Sequence, residues 1–155
     1  GPVPAESRLS MNTTTKFCVP LTVYYDKSCP LCATEMQVLE GLDWRGRLRL
    51  VDCSAPDFDD RIPAREGVTR EAMMAKLHVR DPEGRWLVAL DAFEAVYASA
   101  GLTGAARFWG DRRLRPVLDR IYPVMARYRQ PLSRLGLHRV VGAMLRTIAG
   151  GNRTI

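Results

Sequence analysis

Two cysteines three positions apart, in the segment Cys29-Pro30-Leu31-Cys32, carry the clearest chemistry in this chain. Such a pair can exchange bonds with a disulfide, lie inert in a core or form half of a zinc site, and its local context distinguishes these uses. Here a β-branched and aromatic run precedes the pair and a helix begins at it. Pro30 takes the first helical position, where a missing N–H leaves nothing unpaired. A sulfur at a helix start faces free N–H groups and the positive end of the helix dipole, which favour thiolate and can bring the pKa to about 3.5–7.5. Cys29 is thus the expected nucleophile. Cys32, one turn later and deeper, is expected to resolve a mixed disulfide formed on Cys29. Asp26, three residues ahead of Cys29, either moves the thiol proton or fixes the turn through its side chain. As a carboxylate it opposes the thiolate, whereas Lys27 favours it.

Zinc would need about four ligands in tetrahedral array. Beyond the pair the chain offers Cys18, Cys53, His78 and His138, in no second C-x-x-C and no H-x-x-x-H spacing. No metal and no cofactor are therefore expected. Cys53 closes a predicted strand parallel to the one before Cys29, and parallel strands end on the same side of a sheet, so it is a candidate third thiol. His78 and Lys27 are auxiliary candidates of the same rank. Cys18, at the far end of its strand, reads as a small core hydrophobe.

The elements that must hold these residues follow from periodicity. Phe17–Tyr25 is a predicted strand, and Cys32, Met36 and Leu39 recur at helical spacing up to Gly41. Residues 47–52 form a second strand, which completes a right-handed βαβ unit. Residues 56–65 read as an acidic loop and Thr69–Leu77 as a short helix. His78–Arg80 and Arg85–Leu90 make a hairpin around Asp81-Pro82-Glu83-Gly84. Asp91 with Glu94 suggests a capping box for a helix stopped at Gly101. Beyond Gly104 everything reads as helix, with a kink expected at Pro123 and a restart at Pro131. The 155 residues suit one domain, and no apolar run is long enough to span a bilayer.

The net charge of +6 is unevenly spread: residues 112–155 hold ten arginines against one acid, Asp119. Leu132, Leu135, Val140, Val141, Met144, Leu145 and Ile148 interleave with Arg134, Arg139 and Arg146. This amphipathic basic pattern either packs on the domain or rests on an anionic membrane or acidic partner. Nucleic acid is the weakest partner, because no stacking ladder accompanies the arginines. Residues 1–15 are polar, begin with Gly-Pro as a protease scar does and lack a secretory apolar run. They are expected to be a disordered segment or a tag remnant.

The run Tyr25-Asp26-Lys27-Ser28-Cys29-Pro30-Leu31-Cys32 resembles the opening motif of the DCC thiol-disulfide oxidoreductase family, named for its Asp and two Cys. Leu77-His78-Val79, Gly84, Ala92-Phe93, Tyr122, Ala126-Arg127 and Arg129 also resemble family positions, over residues 21–134. The resemblance implies an α/β, thioredoxin-like βαβ-α-ββα core at residues 16–103, with a basic C-terminal helical extension at residues 104–150 packed on it. It implies Asp26, Cys29 and Cys32 as the active motif, in mostly bacterial proteins. A cytoplasmic dithiol–disulfide oxidoreductase acting on a protein or a small thiol is the leading expectation. The rival is a non-catalytic thioredoxin-like module that docks an acidic partner or a membrane surface through its basic helices. Three departures stand out: Lys27 and Ala89 where the family favours Gly, and no proline just before His78. Thioredoxins place a cis-proline there, beside the edge on which peptide substrates pair, so a narrower partner is expected.

Overall fold

A computed structural model describes residues 16–153 of the chain, and the expectation for residues 1–15 lies outside them. In chain order the elements are β1 (Leu21–Tyr25), α1 (Pro30–Leu42), β2 (Leu48–Asp52), α2 (Arg61–Arg65), α3 (Arg70–Ala75), β3 (His78–Arg80) and β4 (Trp86–Val88). Four helices follow: α4 (Leu90–Ser99), α5 (Thr103–Gly110), α6 (Arg115–Arg134) and α7 (Leu137–Arg153). β1 pairs parallel with β2 and antiparallel with β3, and β4 closes the sheet in the order β2-β1-β3-β4. This mixed α/β arrangement is compatible with a thioredoxin-like fold.

Alternation along β1 divides the core. Leu21, Val23 and Tyr25 face one layer with Met36 and Leu39 of α1 and Ala92, Ala95 and Val96 of α4. Tyr24 faces the other, with Cys53 and Met73. Leu21, Val23, Leu39 and Val79 have no accessible surface, and burying such side chains contributes about 1.5–3 kcal/mol each. The register of α1 on the sheet, and with it the position of Cys32, is fixed by that contact. α7 then packs against α1 through Leu145 and Ala149, and Gly142 approaches Thr34 so closely that no Cβ fits between them.

Three local expectations need correction. The segment at 56–65 is not all loop, since α2 forms there with Pro63 buried. The capping box does not form. α4 starts two residues earlier than such a box would set it, at Leu90, with Ala89 as N-cap at φ 57° and ψ −121° and no side-chain cap. Asp91 instead pairs with Arg115 at 2.9 Å, and Glu94 is buried against Gly110. Neither Pro123 nor Pro131 ends α6, which runs through both. Both prolines are exposed, so the carbonyls they leave unpaired can bond water. The break comes at Gly136, whose φ of +84° is the left-handed turn between α6 and α7.

Candidate active site

Cys29 is the N-cap of α1, with extended backbone angles and Pro30 behind it, as the turn after β1 requires. Its sulfur accepts a hydrogen bond from the Cys32 N–H at 3.4 Å, and the two cysteines lie 2.9 Å apart. Both are free thiols. The Cys32 thiol also donates to Cys29, and this bond does most to hold the Cys29 pKa down, at about 6. Burial works against it, while the Cys32 N–H, the Arg129 guanidinium and the Ser133 hydroxyl assist. Cys32 moves the opposite way: its proton is held by the bond to Cys29 and by burial, which drive its pKa far up. One sulfur carries the charge and the other the proton.

The shell around the pair comes from both ends of the chain. Asp26 is buried and accepts from the Ser28 N–H at 3.0 Å and the Ser28 hydroxyl, so it does fix the turn. It also accepts from Arg129 of α6 at 3.1 Å. Ser133, one turn beyond Arg129, accepts from the Leu31 N–H at 3.1 Å, and its single hydroxyl proton is shared between the Arg129 carbonyl, at 2.7 Å, and Cys29. The first turn of α1 is thereby sealed by α6. Glu35, three residues after Cys32, is half-buried and accepts from the Tyr97 hydroxyl at 3.0 Å. Burial raises its pKa to about 7 despite the Tyr97 bond.

Between these elements lies a cavity of about 340 Å³. Cys32 and Glu35 of α1 line it together with Phe93, Trp109, Tyr122 and Arg129. Tyr122 accepts from the Leu77 N–H at 3.3 Å, and burial pushes its hydroxyl up to about 12. The expectation that Cys32 is the more enclosed sulfur needs qualification. Cys29 has no accessible surface, whereas Cys32 keeps some and faces the cavity.

The auxiliary candidates have other partners. Cys53 is fully buried with Tyr24 and Met73 on the other face of the sheet, and burial raises its pKa to about 12. His78 is buried beside Trp86, with Nδ1 at 2.9 Å from the Lys76 carbonyl oxygen. Lys27 is exposed and its N–H donates to Asp52 at 3.1 Å. Among the described residues, one group of metal-type ligands comes together: Cys18, Asp81 and Glu83. It lies at the opposite end of β1 from Cys29, and Arg85 already binds Asp81 at 2.8 Å and the Cys18 sulfur at 3.2 Å. Sequence reading did not single out Glu35, Ser133 or the partnership of Arg129 with Asp26. Glu35 had a usable signal, its i, i+3 spacing from Cys32. The contacts of Arg129 and Ser133 span more than a hundred residues, beyond any local spacing rule.

An uncharacterised chloroplastic protein of Arabidopsis thaliana is 26% identical over 110 residues, which cover 70% of this chain and 50% of the relative. The chain thus spans about half the length of that relative. No solved structure matches it. The model of the DCC1-like thiol-disulfide oxidoreductases matches residues 23–135, which take in the cysteine pair, Glu35, Arg129 and Ser133. The chain belongs to the DCC1-like thiol-disulfide oxidoreductase family.

Proposed function

We propose that this protein catalyses dithiol–disulfide exchange through Cys29 and Cys32. The observation that carries the reading is a sulfur at a helix N-cap that receives both the N–H and the S–H of Cys32 and so holds its pKa at about 6. At neutral pH such a sulfur is ready to attack a disulfide or to leave from one. Asp26 is a positioning residue, since its carboxylate fixes the turn and orients Arg129 beside the pair. Glu35, with a pKa of about 7, is suited to exchange protons with Cys32. The core at residues 16–103 is read as thioredoxin-like, with residues 104–150 laid over it as a helical extension. We place the reaction in the cytoplasm, since four cysteines in 155 residues are too few for a disulfide-stapled scaffold.

Mass spectrometry of differentially alkylated protein tests the reading. Oxidation should form a Cys29–Cys32 disulfide that a dithiol reductant reverses, with Cys18 and Cys53 unchanged. A pair that stays reduced, or that oxidises irreversibly, would remove the basis of the proposal.

A second reading concerns the basic helices. Val117, Ile121, Val124 and Tyr128 recur along one exposed side of α6, and Val140, Met144 and Ile148 along α7. Arg120, Arg127, Arg139 and Arg146 are exposed on the same helices. Apolar stripes flanked by arginines suit peripheral contact with an anionic lipid surface. Among the described residues no helix is long and apolar enough to cross a membrane.

A further inference from the structure

The sulfur that holds the charge is not the sulfur a substrate would meet. Cys29 has no accessible surface, and the α6 residues Arg129 and Ser133 lie beside it. Cys32 faces the cavity, whose rim residues Phe108, Ile121 and Met125 are 48%, 47% and 45% exposed and open it to solvent between α5 and α6. Its 340 Å³ suits a small molecule. The backbone of Leu77 is not free to pair with a peptide, because its N–H is bonded to Tyr122 and its carbonyl accepts from the Ala89 N–H. The cavity walls are mainly apolar, and of the charged groups near Cys32, Asp26 and Arg129 neutralise one another at 3.1 Å. Lys76 also lines the cavity but is exposed, whereas Glu35, with a pKa of about 7, is largely ionised at mildly alkaline pH, so an anionic ligand would meet a carboxylate near Cys32.

We propose that this cavity is the substrate site, that it admits a low-molecular-weight, uncharged dithiol or disulfide with an apolar body, and that the substrate exchanges first with Cys32. The proposal rests on the exchange reading above and reverses the order expected for the two cysteines. Starting from the oxidised pair, a neutral substrate thiol in the cavity gives up its proton, which Glu35 passes to solvent, as its sulfur bonds to the Cys32 sulfur. The Cys29–Cys32 bond breaks and its electron pair leaves with Cys29, the thiol of lower pKa and hence the better leaving group. The second substrate thiol then bonds to the first substrate sulfur and expels Cys32, to which its proton passes. Two electrons pass from the substrate dithiol to the protein pair. Of the two substrate protons one is retained on Cys32 and one goes to solvent, because Cys29 stays a thiolate. Reduction of a substrate disulfide runs through the same steps in reverse.

The full chain bearing either Cys29→Ser or Cys32→Ser is reacted, at mildly alkaline pH, with dithiodipyridine, a neutral aromatic disulfide, and with dithiobis-nitrobenzoate, a dianionic one. Each rate is divided by that reagent's rate with free glutathione, and peptide mapping assigns the labelled cysteine. Cys32 in the Cys29→Ser protein should react with dithiodipyridine about tenfold faster than Cys29 does in the Cys32→Ser protein, and about tenfold faster than with the dianion, a difference of about 1.4 kcal/mol in barrier. Adding Ala126→Leu, which fills the cavity from α6, should slow that labelling several-fold, whereas Ala126→Ser should not. If the leucine variant shows no cooperative unfolding transition, the comparison of the two single-serine proteins decides alone. Faster labelling of Cys29, or equal normalised rates for the neutral and dianionic reagents, overturns the proposal. A wild-type protein that forms no Cys29–Cys32 disulfide with dithiodipyridine overturns the exchange reading instead.

Discussion

Removing the thiol of Cys32 should discharge its neighbour. The bond from the Cys32 S–H is the largest single reason that Cys29 titrates at about 6 and not at 9.0. A hydrogen bond to a charged group is worth about 1.5–3 kcal/mol, and 1.36 kcal/mol corresponds to one pKa unit. Cys32→Ala should therefore raise the Cys29 pKa by about one to two, to about 7–8, since the backbone N–H, Arg129 and Ser133 all remain. At pH 7 the thiolate fraction would fall from about nine-tenths to between about one-half and one-tenth. Cys32→Ser keeps a donor at the same position and should restore most of the lowering, a rescue that a merely structural effect of the substitution would not give. Thiolate absorbance in the ultraviolet, followed against pH, reads the value directly. Cys53, at about 12, and Cys18, also raised by burial, titrate above the window. A Cys29 pKa still near 6 in Cys32→Ala would refute the reasoning and assign the thiolate to the helix end and Arg129 alone.

Glu35→Gln should change how stability depends on pH. A carboxyl whose pKa rises on folding from 4.5 to about 7 contributes its full stability below about 4.5 and loses it as the pH rises through 7. Denaturant unfolding of the reduced proteins should show the wild type losing at most about 3 kcal/mol relative to Glu35→Gln between pH 4 and 8, and parallel curves would refute the burial of this carboxyl. Ala89→Gly should raise stability by about 1 kcal/mol in the same assay, because a left-handed φ of 57° strains alanine more than the added chain entropy of glycine offsets. A loss of stability would count against that backbone conformation. For the basic helices, the double variant Val124→Asp, Ile148→Asp should abolish cosedimentation with phosphatidylglycerol vesicles while keeping the wild-type unfolding midpoint, since both side chains are exposed. Undiminished cosedimentation would remove the membrane reading.

The legible parts of this molecule were those governed by neighbours in sequence. Alternation in Leu21–Tyr25, Pro30 behind a cysteine N-cap and the Asp81–Gly84 turn each depend on a few adjacent residues, and β1, α1 and the β3–β4 hairpin follow from them. The errors came where a local rule met a tertiary environment. Asp91 and Glu94 have capping-box spacing, yet Arg115 draws both into ion pairs across α4 and α6. Pro123 and Pro131 break helices when the freed carbonyls are buried, and here the prolines face water. The amphipathic tail was ambiguous for a related reason. Val141 and Leu145 turn toward the core while Val140, Met144 and Ile148 turn outward, so one helix both packs and presents an apolar surface.

The same long-range contacts that were hidden from sequence make the site self-consistent. α6 contributes Arg129 and Ser133 to the stabilisation of the Cys29 thiolate, and it is also the element that closes over the first turn of α1. Swinging α6 away to admit a large partner would expose Cys29 and, in the same movement, withdraw two of the groups that keep it charged. It would also release Tyr122 from the Leu77 N–H and separate Arg129 from Asp26, which is buried and would lose its counter-ion. Entry through the cavity breaks none of these bonds. A closed α6 therefore preserves the charge on Cys29 while leaving Cys32 within reach, which is the physical reason to look for the first covalent step at the second cysteine.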